Sequence, residues 1–231
     1  MTQPLIIAID GPAGAGKSTV ARMLARRLGL IHVDSGATYR AAALKVIESG
    51  VSLEDKKEIV RVIRRAEIAL IPSHPHAQVL LDGHDVTAKL RTAEVSHAAS
   101  VVSRLPAVRK KLVAIQRSLL RRPGVVMEGR DIGTVVFPRA ALKIFLKAHP
   151  KERARRRVQQ DGEQGRHSTL HSTLAEISRR DQRDAKRQAS PLAIADDAAV
   201  IDTTRLSAEE VVERILKLAR KKKLLRPEVS A

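Results

Sequence analysis

The feature that most constrains this chain is Gly11-Pro12-Ala13-Gly14-Ala15-Gly16-Lys17-Ser18. It lies between the apolar run Leu5 to Asp10 and a helical stretch, Ser18 to Leu28, that stops at Gly29. A short continuous apolar run bounded by glycines reads as a buried parallel strand. A G-x-x-x-x-G-K-[ST] loop in that context is a phosphate cradle: its glycines let backbone N–H groups turn inward, and the helix N-terminus adds partial positive charge. Lys17 can reach β- and γ-phosphates, and the Ser18 hydroxyl can ligate Mg²⁺. The candidate ATP-binding residues are therefore Gly11, Pro12, Ala13, Gly14, Ala15, Gly16, Lys17, Ser18 and Thr19.

The rest of the chain continues strand–helix alternation, which predicts an α/β fold: a parallel sheet flanked by helices. A strand over Leu30–Val33 closes at Asp34-Ser35-Gly36, a helix runs from Thr38 to Glu48, and Ser52 is read as capping another that begins at Leu53. Between Ala66 and Thr92 the pattern changes to three short strands, Glu67–Ile71, Ala77–Leu81 and His84–Thr87, with Asp82-Gly83 as a hairpin turn. Helical periodicity spans Ala93 to Leu120 and is divided by Pro106. Core strands are expected at Val125–Met127, Leu142–Leu146 and Val200–Ile201. Two helices joined around Asp161-Gly162 fill the basic stretch 150–187, and Ser207 opens the last helix with a capping-box spacing. This organisation divides the chain into a core (1–65, 93–149, 188–231), a β-rich insertion (66–92) and a helical segment (150–187).

Composition narrows the function. Lys and Arg number 43 against 25 Asp and Glu, a net charge of +18, so anionic partners are expected. Nucleic acid is the first thought, but one Tyr, two Phe and no Trp leave almost nothing to stack bases on. With no cysteine, disulfides, thiolate metal sites and cysteine nucleophiles are excluded. No apolar run approaches the roughly 20 residues of a membrane span. A cytoplasmic protein binding small phosphorylated ligands is the expectation, with neither membrane nor specific nucleic-acid partners. His167 and His171, four apart, find no third metal ligand.

Three further blocks join the loop: Asp34-Ser35-Gly36-Ala37-Thr38-Tyr39-Arg40; Glu128-Gly129-Arg130-Asp131-Ile132-Gly133-Thr134-Val135-Val136-Phe137-Pro138; and Arg180 to Arg187 followed by Ser190-Pro191-Leu192. In order and spacing, from Ile6 to about Leu218, the chain resembles bacterial cytidylate kinases. Many relatives carry Asp where this chain has Glu128. The resemblance implies a P-loop nucleoside monophosphate kinase with an inserted monophosphate-binding domain and a mobile lid. Its reaction would be transfer from ATP, with Mg²⁺, to CMP or dCMP. It further implies that Arg40 and Arg130 hold the acceptor phosphate, that Ser35, Asp131, Arg109 and Arg187 read cytosine, and that Ser100, Arg180 and Asp184 contact the pentose. Lys17 and Arg130 would stabilise the moving phosphoryl group together with the lid arginines Arg153 and Arg157. On a helix, Arg153 shares a face with Arg156 and Arg157. A monomer is expected. The other readings are a different small P-loop kinase and a P-loop nucleic-acid-binding regulator.

Overall fold

The computed structural model describes residues 4–71, 73, 77–121, 124–163, 165–185, 187 and 190–225. Lys186, within the Arg180–Arg187 block, lies outside them, as do 1–3 and 226–231 of the expected core. Five strands form an all-parallel sheet: β1 (Leu5–Asp10), β2 (Ile31–Asp34), β6 (Gly124–Gly129), β7 (Leu142–Lys147) and β8 (Ala199–Asp202), in the order β2-β6-β1-β7-β8. Apolar residues on alternate sides of the strands feed two cores. Ile7, Ile9, Val126, Leu142 and Ile144 pack with α1 (Lys17–Leu28) and α8 (Ala208–Lys221). Ala8, Val33, Val125 and Met127 pack beneath α2 (Ser35–Glu48), α4 (Ala93–Val102) and α5 (Pro106–Arg117). The helices after β1 and β2 thus cover opposite faces, and the crevice between them opens at the C-terminal ends of the strands, where ligands bind in such sheets.

The insertion is an antiparallel sheet of β3 (Ile68–Ile71), β4 (Gln78–Leu81) and β5 (His84–Asp85). Its buried Ile68, Leu70, Val79 and Leu81 belong to the same apolar cluster as α2 and α4, so it has no separate core. Its third strand is shorter than expected, because Thr87–Arg91 coils into a 3₁₀ turn. Pro106 does divide the helical stretch and occupies the start of α5, where its missing N–H costs nothing.

Three boundaries differ from expectation. Helix α2 begins at Ser35, directly off β2, with no intervening loop. Helix α3 (Lys56–Arg65) is capped by Asp55, which accepts from the Glu58 N–H at 2.9 Å, while the Ser52 hydroxyl bonds Glu54 in the preceding turn. The carboxylate three residues before Glu58 outcompetes the earlier serine. In the basic segment, α6 (Pro150–Glu163) runs through Asp161-Gly162, and the chain turns at Gly165 (φ 68°) before α7 (Leu170–Ala185). Asp161 belongs to the helix end that it fastens: its carboxylate accepts from Arg166 (2.7 Å) and Ser168 (3.1 Å) beyond it. His167 therefore sits in the connection rather than on a helix face with His171.

Candidate active site

The phosphate loop, 11–16, leaves β1 and enters α1 at Lys17. It is braced from behind. Arg153 on α6 donates to the carbonyls of Ala13 (3.0 Å) and Ala148 (3.0 Å) and pairs with Asp181 on α7 at 2.7 Å. Thr203, just past β8, donates to the Ala15 carbonyl at 3.2 Å and is itself held by Arg156 (2.6 Å to its carbonyl). Gly14, at φ 75°, lies so close to Arg153 that a Cβ would fall 2.9 Å from the arginine Cβ, so only glycine fits. Lys17 is buried and donates to the Pro12 carbonyl at 2.7 Å. Burial, aided by the charge of Arg130, brings its pKa down to about 7.

Beside the loop, the ends of β2 and β6 bring Ser18, Glu128 and His32 together. The exposed Ser18 hydroxyl donates to Glu128 Oε2 at 2.8 Å, and His32 Nε2 lies 3.0 Å from Glu128 Oε1. A hydroxyl and a carboxylate are hard oxygen donors of the kind Mg²⁺ takes. Among the described residues no three His, Asp or Glu cluster as a metal site in their own right. Ser18 and Glu128 thus fit an ion whose remaining ligands are phosphate oxygens and water.

The Glu128–Val136 block turns sharply after β6. Asp10, at the end of β1, accepts from the N–H groups of Ile132 (2.8 Å) and Gly133 (2.7 Å), holding a widened π-type turn over Ile132–Val136. Burial raises the Asp10 pKa to about 6, against the pull of those two bonds. Gly129 permits close approach: a Cβ there would meet Ser35 Oγ at 2.5 Å. Ser35 donates instead to the Glu128 carbonyl at 2.7 Å, joining two of the sequence blocks.

The remaining expected site residues meet across this turn. Asp131 pairs with Arg109, both buried, and Arg109 also donates to Ser190 Oγ (3.1 Å) and lies 5.3 Å from the centre of the Tyr39 ring. Burial pushes the Tyr39 hydroxyl's pKa up to about 12, against the pull of the Arg109 charge beside it. Asp184 receives Arg130 (3.0 Å) on one oxygen and Arg187 on the other. Burial would raise this carboxyl, but Arg130, Arg187 and Arg180 hold it below the ordinary range. Arg40 pairs with Asp34 at 2.6 Å. The charges of Arg130 and Arg40 press on Arg180, whose pKa falls to about 10, mainly through burial. Ser100 lies on α4 one turn before Ser103, whose carbonyl takes Arg109 Nη1 at 3.3 Å. Three of the four arginines of α6 diverge: Arg153 reaches the phosphate loop, Arg156 reaches Thr203, and Arg157 turns to Asp161 (3.4 Å) and Gln160. Asp10, His32, Tyr39 and Thr203 are additions that sequence reasoning left without roles. Tyr39 had a signal in its place within the Asp34–Arg40 block; for the other three the one signal is position, on a strand or just past its C-terminal end.

A parallel sheet with a phosphate loop after its first strand, a basic cluster opposite and a carboxylate beside the loop serine defines a small P-loop kinase. A solved gluconokinase from Sinorhizobium meliloti 1021 has this fold, with a TM-score of 0.50 at 15% identity over 97% of each chain. The cytidylate kinase family model matches residues 7–221, and the chain belongs to that family. It is 49% identical to the cytidylate kinase of Caldicellulosiruptor bescii over 92% of this chain and 94% of that one. It is 47% identical to that of Azotobacter vinelandii, over 93% and 94%.

Proposed function

We propose that the site carries out its family's reaction, phosphoryl transfer from ATP to CMP or dCMP giving ADP and CDP or dCDP, with the following division of labour. The observation that carries it is electrostatic. Beyond the effect of burial, the charges of Arg130 and Arg180 lower the proton affinity of Lys17, and those of Arg130 and Arg40 lower that of Arg180. A cluster of cations held that close is complementary to two phosphoryl groups meeting end to end.

The loop 11–16, with Lys17, Ser18 and Thr19, takes the donor's phosphates. Ser18, with Glu128 beside it, would hold Mg²⁺, which would supply positive charge to neutralise them. A cavity of about 750 Å³ bounded by Lys147, His149, Asp202, Arg205 and Arg214, at the ends of β7 and β8, has room for the donor nucleoside. Arg40 and Arg130 bind the acceptor phosphate; their planar forks suit it. Asp131 accepts from the cytosine amino group, Ser35 assists, and Arg109 and Arg187 donate to the ring. Ser100, Arg180 and Asp184 serve the pentose. The acceptor oxygen is already anionic at neutral pH, so no general base is required, and catalysis is positioning plus charge stabilisation. Arg157, on the 150–187 lid, adds charge as that segment closes over the nucleotides, while Arg153, bonded to the Ala13 carbonyl, adds its charge from behind the phosphate loop, with 66–92 forming the acceptor-side wall. We propose a monomer as the working unit. Among the described residues no helix is long and apolar enough to cross a membrane, and we assign the protein to the cytoplasm.

The test is turnover with CMP, dCMP, UMP, AMP, GMP and shikimate in an ADP-release assay. CMP and dCMP should exceed every other acceptor in kcat/KM. A preference for AMP or shikimate would instead identify a different small kinase.

A further inference from the structure

We infer that His32 is a positioning residue for the metal-side carboxylate. It fixes Glu128 so that Glu128 and Ser18 present their oxygens together to the Mg²⁺ of the bound nucleotide. The inference rests on the role assigned above to Ser18. His32 interrupts an otherwise apolar strand, Leu30-Ile31-His32-Val33, and is 6% exposed. A buried polar ring costs stability unless it is hydrogen-bonded, so its presence calls for a partner. Glu128, 3% exposed, is that partner. Strand β2 runs beside β6 with His32 opposite Val126 and Asp34 opposite Glu128. The imidazole therefore reaches forward along the sheet towards the end where the carboxylate stands.

The chemistry fixes the direction of the bond. A carboxylate only accepts, so the Nε2 nitrogen 3.0 Å from Oε1 carries the proton and donates it. The two carboxylate oxygens are then each held once, Oε2 by Ser18 and Oε1 by His32. A glutamate has one more rotatable bond than an aspartate. Tethered only at Ser18, it could swing its free oxygen away from the loop. The histidine removes that freedom by holding Oε1. Groups that orient a metal's ligands in this manner affect metal affinity by about 10- to 100-fold.

The experiment uses Mn²⁺ as the probe, with the electron paramagnetic resonance signal of free Mn²⁺ reporting binding to the full-length protein saturated with ATP. Two substitutions separate orientation from mere packing. Gln carries its amide nitrogen where Nε2 stands, whereas Asn carries it nearer Nδ1 and falls short of Glu128. His32→Asn should weaken Mn²⁺ binding about tenfold while leaving metal-free ATP binding and the KM for CMP unchanged. His32→Gln should stay near wild type. In a Glu128→Asp background, where the shorter side chain no longer reaches the ring, His32→Asn should add nothing further. Equal behaviour of the Asn and Gln variants, or the same loss in the Glu128→Asp background, would overturn the inference. Ser18→Ala is the control for the underlying reading. If it leaves Mn²⁺ binding unchanged, Ser18 is not a ligand; if it weakens binding while His32→Asn does not, only the role of His32 fails.

Discussion

The two ends of the cleft are held by different chemistry. At the phosphate loop the bonds run to backbone: Lys17 to Pro12, Arg153 to Ala13, Thr203 to Ala15. On the acceptor side four arginines are paired with carboxylates, Arg40 with Asp34, Arg109 with Asp131, and Arg130 and Arg187 with Asp184, although Arg109 and Arg130 also donate to the Ser103 and Gly129 carbonyls. A backbone carbonyl is fixed by the chain, so the loop's shape is set before any ligand arrives. A carboxylate is a trigonal anion that phosphate can replace at an arginine fork with little geometric change. The donor end is therefore built as a rigid cradle. The acceptor end is a set of arginines parked on internal carboxylates that a ligand's phosphate and base can take over.

The largest expected effect lies at the cradle. Lys17→Ala should keep the fold, because the loop is held by other residues, yet lower kcat about 10²- to 10³-fold, the size seen when one preorganised donor to transition-state charge is removed. Near-native turnover with a native circular dichroism spectrum would contradict the assignment. On the acceptor side, Asp131→Asn should shrink the CMP-over-UMP ratio in kcat/KM by about 30- to 150-fold. A carboxylate attracts the cytosine amino group and repels the uracil carbonyl, and that contrast is worth about 2–3 kcal/mol. An unchanged ratio would remove Asp131 from base reading even if activity fell.

A third position sharpens the contrast by standing outside both ends. Lys111 closes the end of α3 by donating to the carbonyls of Ile63 (2.9 Å), Arg64 (2.9 Å) and Ala66 (2.5 Å). Lys111→Met should lower stability by about 1–2 kcal/mol, a fall of about 2–8 °C in Tm, with kcat and the base ratio unmoved. A change in the base ratio would mean that α5 couples to the pocket. The smallest effect concerns Arg40. Burial alone would raise the Asp34 carboxyl, but the charge and hydrogen bond of Arg40 hold it at about 2. Asp34 is thus ionised more readily folded than unfolded. The pair's contribution is present above the ordinary carboxylate pKa and is lost as pH falls from about 4 towards 2. Being partly exposed, it should be worth no more than about 1 kcal/mol at pH 7. Urea unfolding of wild type and Arg40→Met should differ at pH 7 and converge near pH 2. A difference independent of pH would place the effect elsewhere.

What could be read from the sequence followed how local its cause was. The phosphate loop, the division at Pro106 and the capping box at Ser207 are short-range devices, and each stands where its residues indicated. The cap of α3 went to Asp55 because two competent capping residues lie three apart, and spacing alone does not choose between them. Asp161-Gly162 read as a break, but a glycine within a helix is tolerated when the neighbouring carboxylate has partners beyond the helix end. In the site, Arg130, Asp131, Asp184 and Arg187 were legible because they sit in motif blocks, Arg109 was reached only through the family resemblance, and the fold gathers them. The partners that hold them were not. Asp10 meets residues 122 and 123 positions away, His32 meets Glu128 across two strands, and Thr203 meets Ala15 from the far end of the chain. Those contacts exist only because the sheet order sets β6 between β2 and β1, and β7 between β1 and β8, which no local pattern states.

The most direct test of the contrast between the two ends is a crystal structure of the protein with CMP alone. The account predicts Arg40 and Arg130 on the phosphate, released from Asp34 and Asp184, with Asp131 and Arg109 on the base. The Lys17–Pro12, Arg153–Ala13 and Thr203–Ala15 bonds should be unchanged. CMP bound with Arg130 still on Asp184, or a phosphate loop that rebuilds itself around the acceptor, would contradict it.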